Sequence, residues 1–131
     1  MGKGSARPAT RHLGRISNKA TNTLDLVPWG GGGLVVTLQC SEFTSHCPVT
    51  GQPDFATLRI EYMPDKSIVE TKSLKLYLWS YRDKAMFNEQ IVEKIAADII
   101  KQVRPKWVTV AGAFAQRGGI SVQATATRDG R

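Results

Sequence analysis

Cys47 and Asp54 stand seven residues apart in a stretch crowded with turn formers, Cys47-Pro48 followed by Gly51-Gln52-Pro53-Asp54. A thiolate adds readily to an electron-poor carbon when its surroundings favour the anion. A carboxyl nearby can protonate the atom that gains charge in that addition. The same two residues also suit a packed thiol and a surface acid, and Cys40 reads as a packed thiol at a strand end. Cys40, His46, Cys47 and His12 are four nominal metal ligands. Adjacent donors and one near the N-terminus do not match the paired spacings of structural zinc, so no metal is expected. No Ser-His-Asp set and no suitably spaced pair of carboxylates stands out.

Cations form a second group. Lys72 and Lys75 fall one turn apart if their segment is helical, and Arg117-Gly118-Gly119 places a guanidinium beside exposed backbone N–H groups. Three converging cations suit a phosphorylated cofactor; the plain alternative is a solvated basic face. Asn88 and Glu89 open an apolar helical pattern, Asn88 inside the stripe and Glu89 at its edge. Free N–H groups and the helix dipole favour a carboxylate at such a start, with or without a ligand.

The elements that must position these groups follow from periodicity. Leu34-Val35-Val36-Thr37-Leu38 reads as a strand after the Gly30 to Gly33 run. That run is no dinucleotide fingerprint, because the third glycine is missing and a strand follows where a helix is needed. Cys40 to Pro53 reads as turn-rich. Ala56, Leu58, Ile60 and Tyr62 alternate with polar residues, a half-buried strand that Met63-Pro64-Asp65-Lys66 ends. Ser73 to Arg82 fits strand or helix. Ile91, Val92, Ile95, Ala96, Ile99, Ile100 and Val103 form one stripe at helical spacing, stopped by Pro105. Trp107 to Phe114 and Ile120 to Thr127 read as two further strands. Two strands, one or two helices, then two strands predict an α+β fold, an antiparallel sheet carrying helices on one face.

Composition sets the bounds. A chain of 131 residues, 41% hydrophobic and 22% charged, suits one folded domain with a core. No apolar run approaches the ~18 residues of a membrane span, and no signal peptide pattern opens the chain. Two cysteines are too few for a disulfide scaffold, so a cytoplasmic protein is expected. The net charge of +7 is uneven: Lys3, Arg7, Arg11, Arg15 and Lys19 precede any acid. Residues 1–22 therefore read as a basic, flexible arm, and 23–131 as the folded domain. The excess charge sits on the arm rather than on a folded face, so direct tRNA contact is not expected.

Four segments then become specific together. Glu42-Phe43-Thr44-Ser45-His46-Cys47-Pro48-Val49-Thr50-Gly51-Gln52-Pro53-Asp54-Phe55-Ala56 resembles the nucleophile segment of the NADPH-dependent nitrile reductases of queuosine biosynthesis, the QueF family. Glu70-Thr71-Lys72-Ser73-Leu74-Lys75-Leu76-Tyr77 resembles that family's signature motif. Phe87-Asn88-Glu89 and Arg117-Gly118-Gly119-Ile120 fall where its substrate and cofactor segments lie. The likeness covers roughly residues 34 to 122.

The resemblance implies reduction of the nitrile of 7-cyano-7-deazaguanine to an aminomethyl group with NADPH. Cys47 would form a covalent thioimide and Asp54 would be the general acid. Val69, Glu70, Thr71, Asn88 and Glu89 would bind the base, and Lys72, Lys75 and Arg117 the cofactor phosphates. It also implies a helix over the ambiguous segment and a tunnelling fold: a four-stranded antiparallel sheet with two helices on one face, built into pentameric β-barrel rings. The short single-module form implies two stacked pentamers with active sites between subunits. The family commonly carries histidine where this chain has Asn88, and an amide positions groups but shuttles no proton near neutral pH. Two other readings share the features: an amidinotransferase of the same kind acting on deazaguanine in tRNA, and a non-catalytic nucleobase- or RNA-binding module.

Overall fold

The computed structural model describes residues 19–130. Most of the expected arm, with His12, lies outside them. Its last residues are tied to the domain: the Thr21 N–H donates to the Leu76 carbonyl at 3.3 Å, and Gln102 Nε2 donates to the Asn22 carbonyl at 3.1 Å.

Four strands form the main sheet: β2 (Val36–His46), β3 (Pro53–Met63), β5 (Trp107–Arg117) and β6 (Ile120–Asp129). Their spatial order is β2-β3-β5-β6, with every neighbouring pair antiparallel. Two short strands, β1 (Leu26–Pro28) and β4 (Ser67–Val69), pair in a separate ribbon that the sequence pattern did not signal. Three residues each are too few to show a period. The turn-rich reading of Cys40 to Pro53 is corrected in its first half. β2 runs on through Ser41 to His46 and absorbs the irregular pattern in a bulge between Cys40 and Phe43. Cys40 therefore lies within the strand.

Helix α1 (Thr71–Trp79), a 3-10 turn (Ser80–Asp83) and helix α2 (Asn88–Gln102) cover one face. The segment compatible with strand or helix is a helix because Leu74, Tyr77, Leu78 and Tyr81 all bury on one side. Ile91, Val92, Ile95, Ala96 and Ile99 of α2 are likewise buried and pack over β5 and β6. Against them β3 presents Ala56, Leu58, Ile60 and Tyr62, and β5 presents Val108, Val110 and Phe114. Gly112 keeps that contact close, since a Cβ there would lie 2.8 Å from the Phe114 ring and 3.0 Å from Val92. Beyond Gln102, Arg104 adopts a left-handed conformation (φ 56°) and Pro105 blocks further helix.

A polar knot ties the helices together. The Tyr77 hydroxyl donates to Asp98 Oδ2 at 2.6 Å and meets the Tyr81 hydroxyl at 3.0 Å, while Lys94 pairs with Asp98 at 3.1 Å. Burial pushes both phenols upward, Tyr81 to about 12. No helix among the described residues is long and apolar enough to cross a membrane.

Candidate active site

The hairpin between β2 and β3 carries the thiol. After His46 the chain closes a tight turn in which the Gly51 N–H donates to the Cys47 carbonyl and the Cys47 N–H to the Gln52 carbonyl, both at 2.9 Å. Gly51 sits at φ 71°, a conformation that costs glycine nothing and other residues strain. Cys47 is only partly covered. The Thr50 hydroxyl, then the backbone N–H groups of Thr50 and Val49, hold its thiol below the usual range against opposing contributions from burial and Asp54. A thiol favoured as its anion is the form that can act as a nucleophile.

Strand pairing supplies the carboxyl. Asp54, 8% exposed, lies opposite Ser45 in the register of β2 and β3. Arg117, at the far end of β5, reaches it because β5 pairs with β3. Its Nε donates to Asp54 Oδ1 at 2.6 Å and its Nη1 to Gln52 Oε1 at 2.7 Å. The guanidinium expected among the cofactor cations is therefore joined to the expected acid.

A short parallel bridge brings in the helix start. The His46 N–H donates to the Lys84 carbonyl and the Met86 N–H to the His46 carbonyl, both at 3.1 Å, with His46 and Ala85 as bridge partners. Phe87, Asn88 and Glu89 follow directly. Glu89 is exposed and Asn88 half-buried, with its Oδ1 enclosed and unpartnered among the described residues. Ser45 Oγ is enclosed and unpartnered too, on a residue with no exposed surface. Such an atom costs about 1–3 kcal/mol while unmatched, so both oxygens are open to a polar partner.

The other expected residues sit elsewhere. The Val69 N–H donates to the Tyr62 hydroxyl at 2.9 Å. Tyr62 pairs with Val36 at one end of the hairpin, whereas Pro53 pairs with His46 at the other. At about 3.4 Å per residue the intervening strand spans roughly 30 Å. The Glu70 carboxylate caps α1, accepting from the backbone N–H of Lys72 at 2.9 Å and of Ser73 at 2.8 Å. Thr71 and Lys75 line a cavity of about 620 Å³ between α1 and β2, together with Leu38, Glu42, Phe43 and Trp79. That cavity contains none of Cys47, Asp54, Asn88, Glu89 and Arg117. The expected residues thus fall into two groups, one at the Cys47 loop and one at the start of α1. Among the described residues no group of three or more His, Cys, Asp and Glu gathers as a metal site.

Thr50, Gln52 and Ser45 were not singled out by residue chemistry. All three fall within the nucleophile segment, and the signal that could have found them is their position in a turn between two alternating strands.

The sequence model of the QueF-like protein family matches residues 53–131. The NADPH-dependent 7-cyano-7-deazaguanine reductase of Anaeromyxobacter sp. (strain Fw109-5) is 53% identical over 91 residues, 70% of this chain and 75% of the relative. That of Bacteroides thetaiotaomicron is 55% identical over 87 residues, 66% of this chain and 58% of the relative. Among solved structures, the apo crystal structure of the archaeosine synthase QueF-Like superposes with a TM-score of 0.69 at 23% identity, covering 74% of this chain and 95% of that one. At that identity the likeness speaks to the fold, and it agrees with the expected tunnelling architecture. Sequence identity near one half over most of the chain, together with the family match, establishes that this chain belongs to the QueF-like family.

Proposed function

We propose that this chain is an NADPH-dependent reductase that converts the nitrile of 7-cyano-7-deazaguanine to an aminomethyl group, with Cys47 as nucleophile. The observation that carries the reading is a thiol held below its usual range in the same hairpin as an enclosed carboxyl. It occurs in a chain about half identical to reductases of that name. A free nitrile resists hydride. Cys47 adds its sulfur to the nitrile carbon, and Asp54 gives the nitrogen a proton, leaving a thioimide whose C=N bond is electrophilic. NADPH, when bound, supplies hydride to carbon at two successive C=N bonds. Between the two reductions the sulfur departs and leaves an imine.

Asp54 serves as the acid only when Arg117 lets go of its carboxyl. A phosphate drawing Arg117 away would open that route. Glu89 accepts from the N–H edge of the base, and Asn88 positions without moving protons. The cofactor cations fit a phosphate chemically: Lys72 and Lys75 stand a turn apart on α1, and Lys75 is exposed at the cavity. Glu70 contributes by shaping the start of α1, because its carboxylate is engaged there.

Val69, against Tyr62, lies roughly 30 Å along β3 from the Cys47 loop, and the cavity beside α1 takes in none of Cys47, Asp54, Asn88, Glu89 and Arg117, so we assign the complete site to two copies of the chain. β2 and β6 are the open edges of the sheet, and pairing of such edges between copies closes rings of the kind expected. Two stacked pentamers remain the assembly proposed, in the cytoplasm, with the base as a free small molecule. The test is NADPH oxidation with 7-cyano-7-deazaguanine. Two equivalents consumed per base, and a covalent mass adduct lost in Cys47→Ala, support the reading. Absence of NADPH turnover in the assembled protein would sink it.

A further inference from the structure

Arg117 meets Asp54 because β5 carries an extra residue near its end. Phe114 pairs with Ala56 on β3, so an unbroken register would set Gln116 opposite Asp54. The pairing with β6 slips instead between Phe114, which faces Val122, and Arg117, which faces Ile120. That bulge gives Arg117 the place in the alternation that Gln116 would have held, on the side of the sheet where Asp54 lies. The guanidinium is then gripped twice. Its Nε lies 2.6 Å from Asp54 Oδ1, and its Nη1 donates to Gln52 Oε1 at 2.7 Å. Gln52 also belongs to the nucleophile turn: its carbonyl accepts from the Cys47 N–H at 2.9 Å and its N–H donates to Thr50 Oγ1 at 3.2 Å. Those two bonds use backbone atoms, so the side chain serves Arg117 without loosening the turn. Arg117 keeps 39% of its side chain exposed against 10% for Asp54. The guanidinium is thus the accessible end of the pair and the carboxyl the enclosed end.

We propose that Gln52 is a positioning residue: its amide oxygen holds Arg117 on Asp54 as a latch, and a phosphate anion opens the latch by taking the guanidinium. This deepens the assignment of Asp54 as the acid and of Arg117 as a cofactor cation, and rests on both. While latched, Asp54 is the ionised half of an ion pair and has no proton to give. In the addition step the sulfur anion forms the S–C bond, a π bond of the nitrile opens, and nitrogen takes the proton that leaves Asp54. The carboxyl must be released before it can be protonated and perform that step. Gln52 sets how readily release occurs, because its hydrogen bond to the cation must break before the guanidinium moves. Latch and anion compete for the same group, so a weaker latch means a tighter anion. Gln52 is exposed, and replacing its side chain leaves the core intact.

The experiment is calorimetric titration of the full-length protein with NADP+, without nitrile and without turnover. Gln52→Met keeps the length of the side chain and the backbone bonds of the turn but lacks the acceptor. It should bind NADP+ about tenfold more tightly than the parent, the effect of losing one hydrogen bond to a charged group. A residue that merely shaped the site would weaken binding when replaced, so the sign separates the two roles. In an Arg117→Gln background the same change should have no effect, because nothing is left for position 52 to hold. With 7-cyano-7-deazaguanine added and NADP+ absent, Gln52→Met should form the Cys47 adduct about tenfold faster than the parent, by the same reasoning; at saturating NADP+ the two rates should meet. Unchanged or weakened NADP+ binding in Gln52→Met overturns the proposal, as does an equal gain in the Arg117→Gln background. A parent that binds no NADP+ at all removes the cofactor reading and the latch with it, whereas binding that ignores Gln52→Met removes the latch alone.

Discussion

Ser45→Ala should make this protein more stable and less able to bind its base. Ser45 has no exposed surface, and its hydroxyl oxygen has no partner among the described residues. Burying such a group unmatched costs about 1–3 kcal/mol. Exchanging the hydroxyl for hydrogen removes that penalty and leaves a void smaller than a methyl group, which returns part of the gain. The net expectation is about 1 kcal/mol of added stability, or a Tm rise of about 4 °C for a domain of this size. The assay is urea unfolding of both proteins at one fixed concentration, because subunit association feeds into apparent stability. In parallel, formation of the Cys47 adduct with 7-cyano-7-deazaguanine should weaken, since the hydroxyl lies opposite Asp54 and two residues before the nucleophile. A Ser45→Ala variant less stable than its parent by 1 kcal/mol or more would refute the reasoning. It would mean the hydroxyl is satisfied within the folded chain and is not reserved for a ligand.

Lys75→Ala should raise the NADPH concentration needed for half-maximal rate by about tenfold, as loss of one phosphate-pairing cation does, with little effect on base affinity; an unchanged NADPH response removes Lys75 from the cofactor site. Asn88→His should preserve base binding, measured by quenching of intrinsic fluorescence, because both side chains offer a polar atom at the same depth; a large loss would show that the pocket has been rebuilt around the amide. Tyr81 keeps its proton to about pH 12 in the folded state, whereas the unfolded chain's tyrosines release theirs near 10. The folded state therefore binds more protons in that interval, and its stability should fall as pH rises from 10 to 12. Denaturant midpoints followed across that range would check the sign, and in Tyr81→Phe the decline should be shallower.

How these two groups of residues are built explains what was readable beforehand. The alternation of Ala56, Leu58, Ile60 and Tyr62 and the stripe from Ile91 to Val103 are local patterns, so β3 and α2 could be placed from residue order alone. Resemblance over Glu42 to Ala56 carried Cys47 and Asp54. The bulge after Cys40 hid the second half of β2, since an extra residue breaks the period that signals a strand. The ribbon of β1 and β4 was hidden by its brevity.

Residue types, spacing and likeness singled out the candidate nucleophile, acid and cations and determined the α+β layout, because each depends on chemistry or on short-range period. Only the tertiary structure decided which of them meet. Arg117 reaches Asp54 across two paired strands, Glu70 is spent on the start of α1, and the segment that leads into Asn88 is joined to His46, next to Cys47, by a single bridge at Ala85. Such meetings depend on strand register and on where hydrogen bonds close, and a linear pattern carries neither.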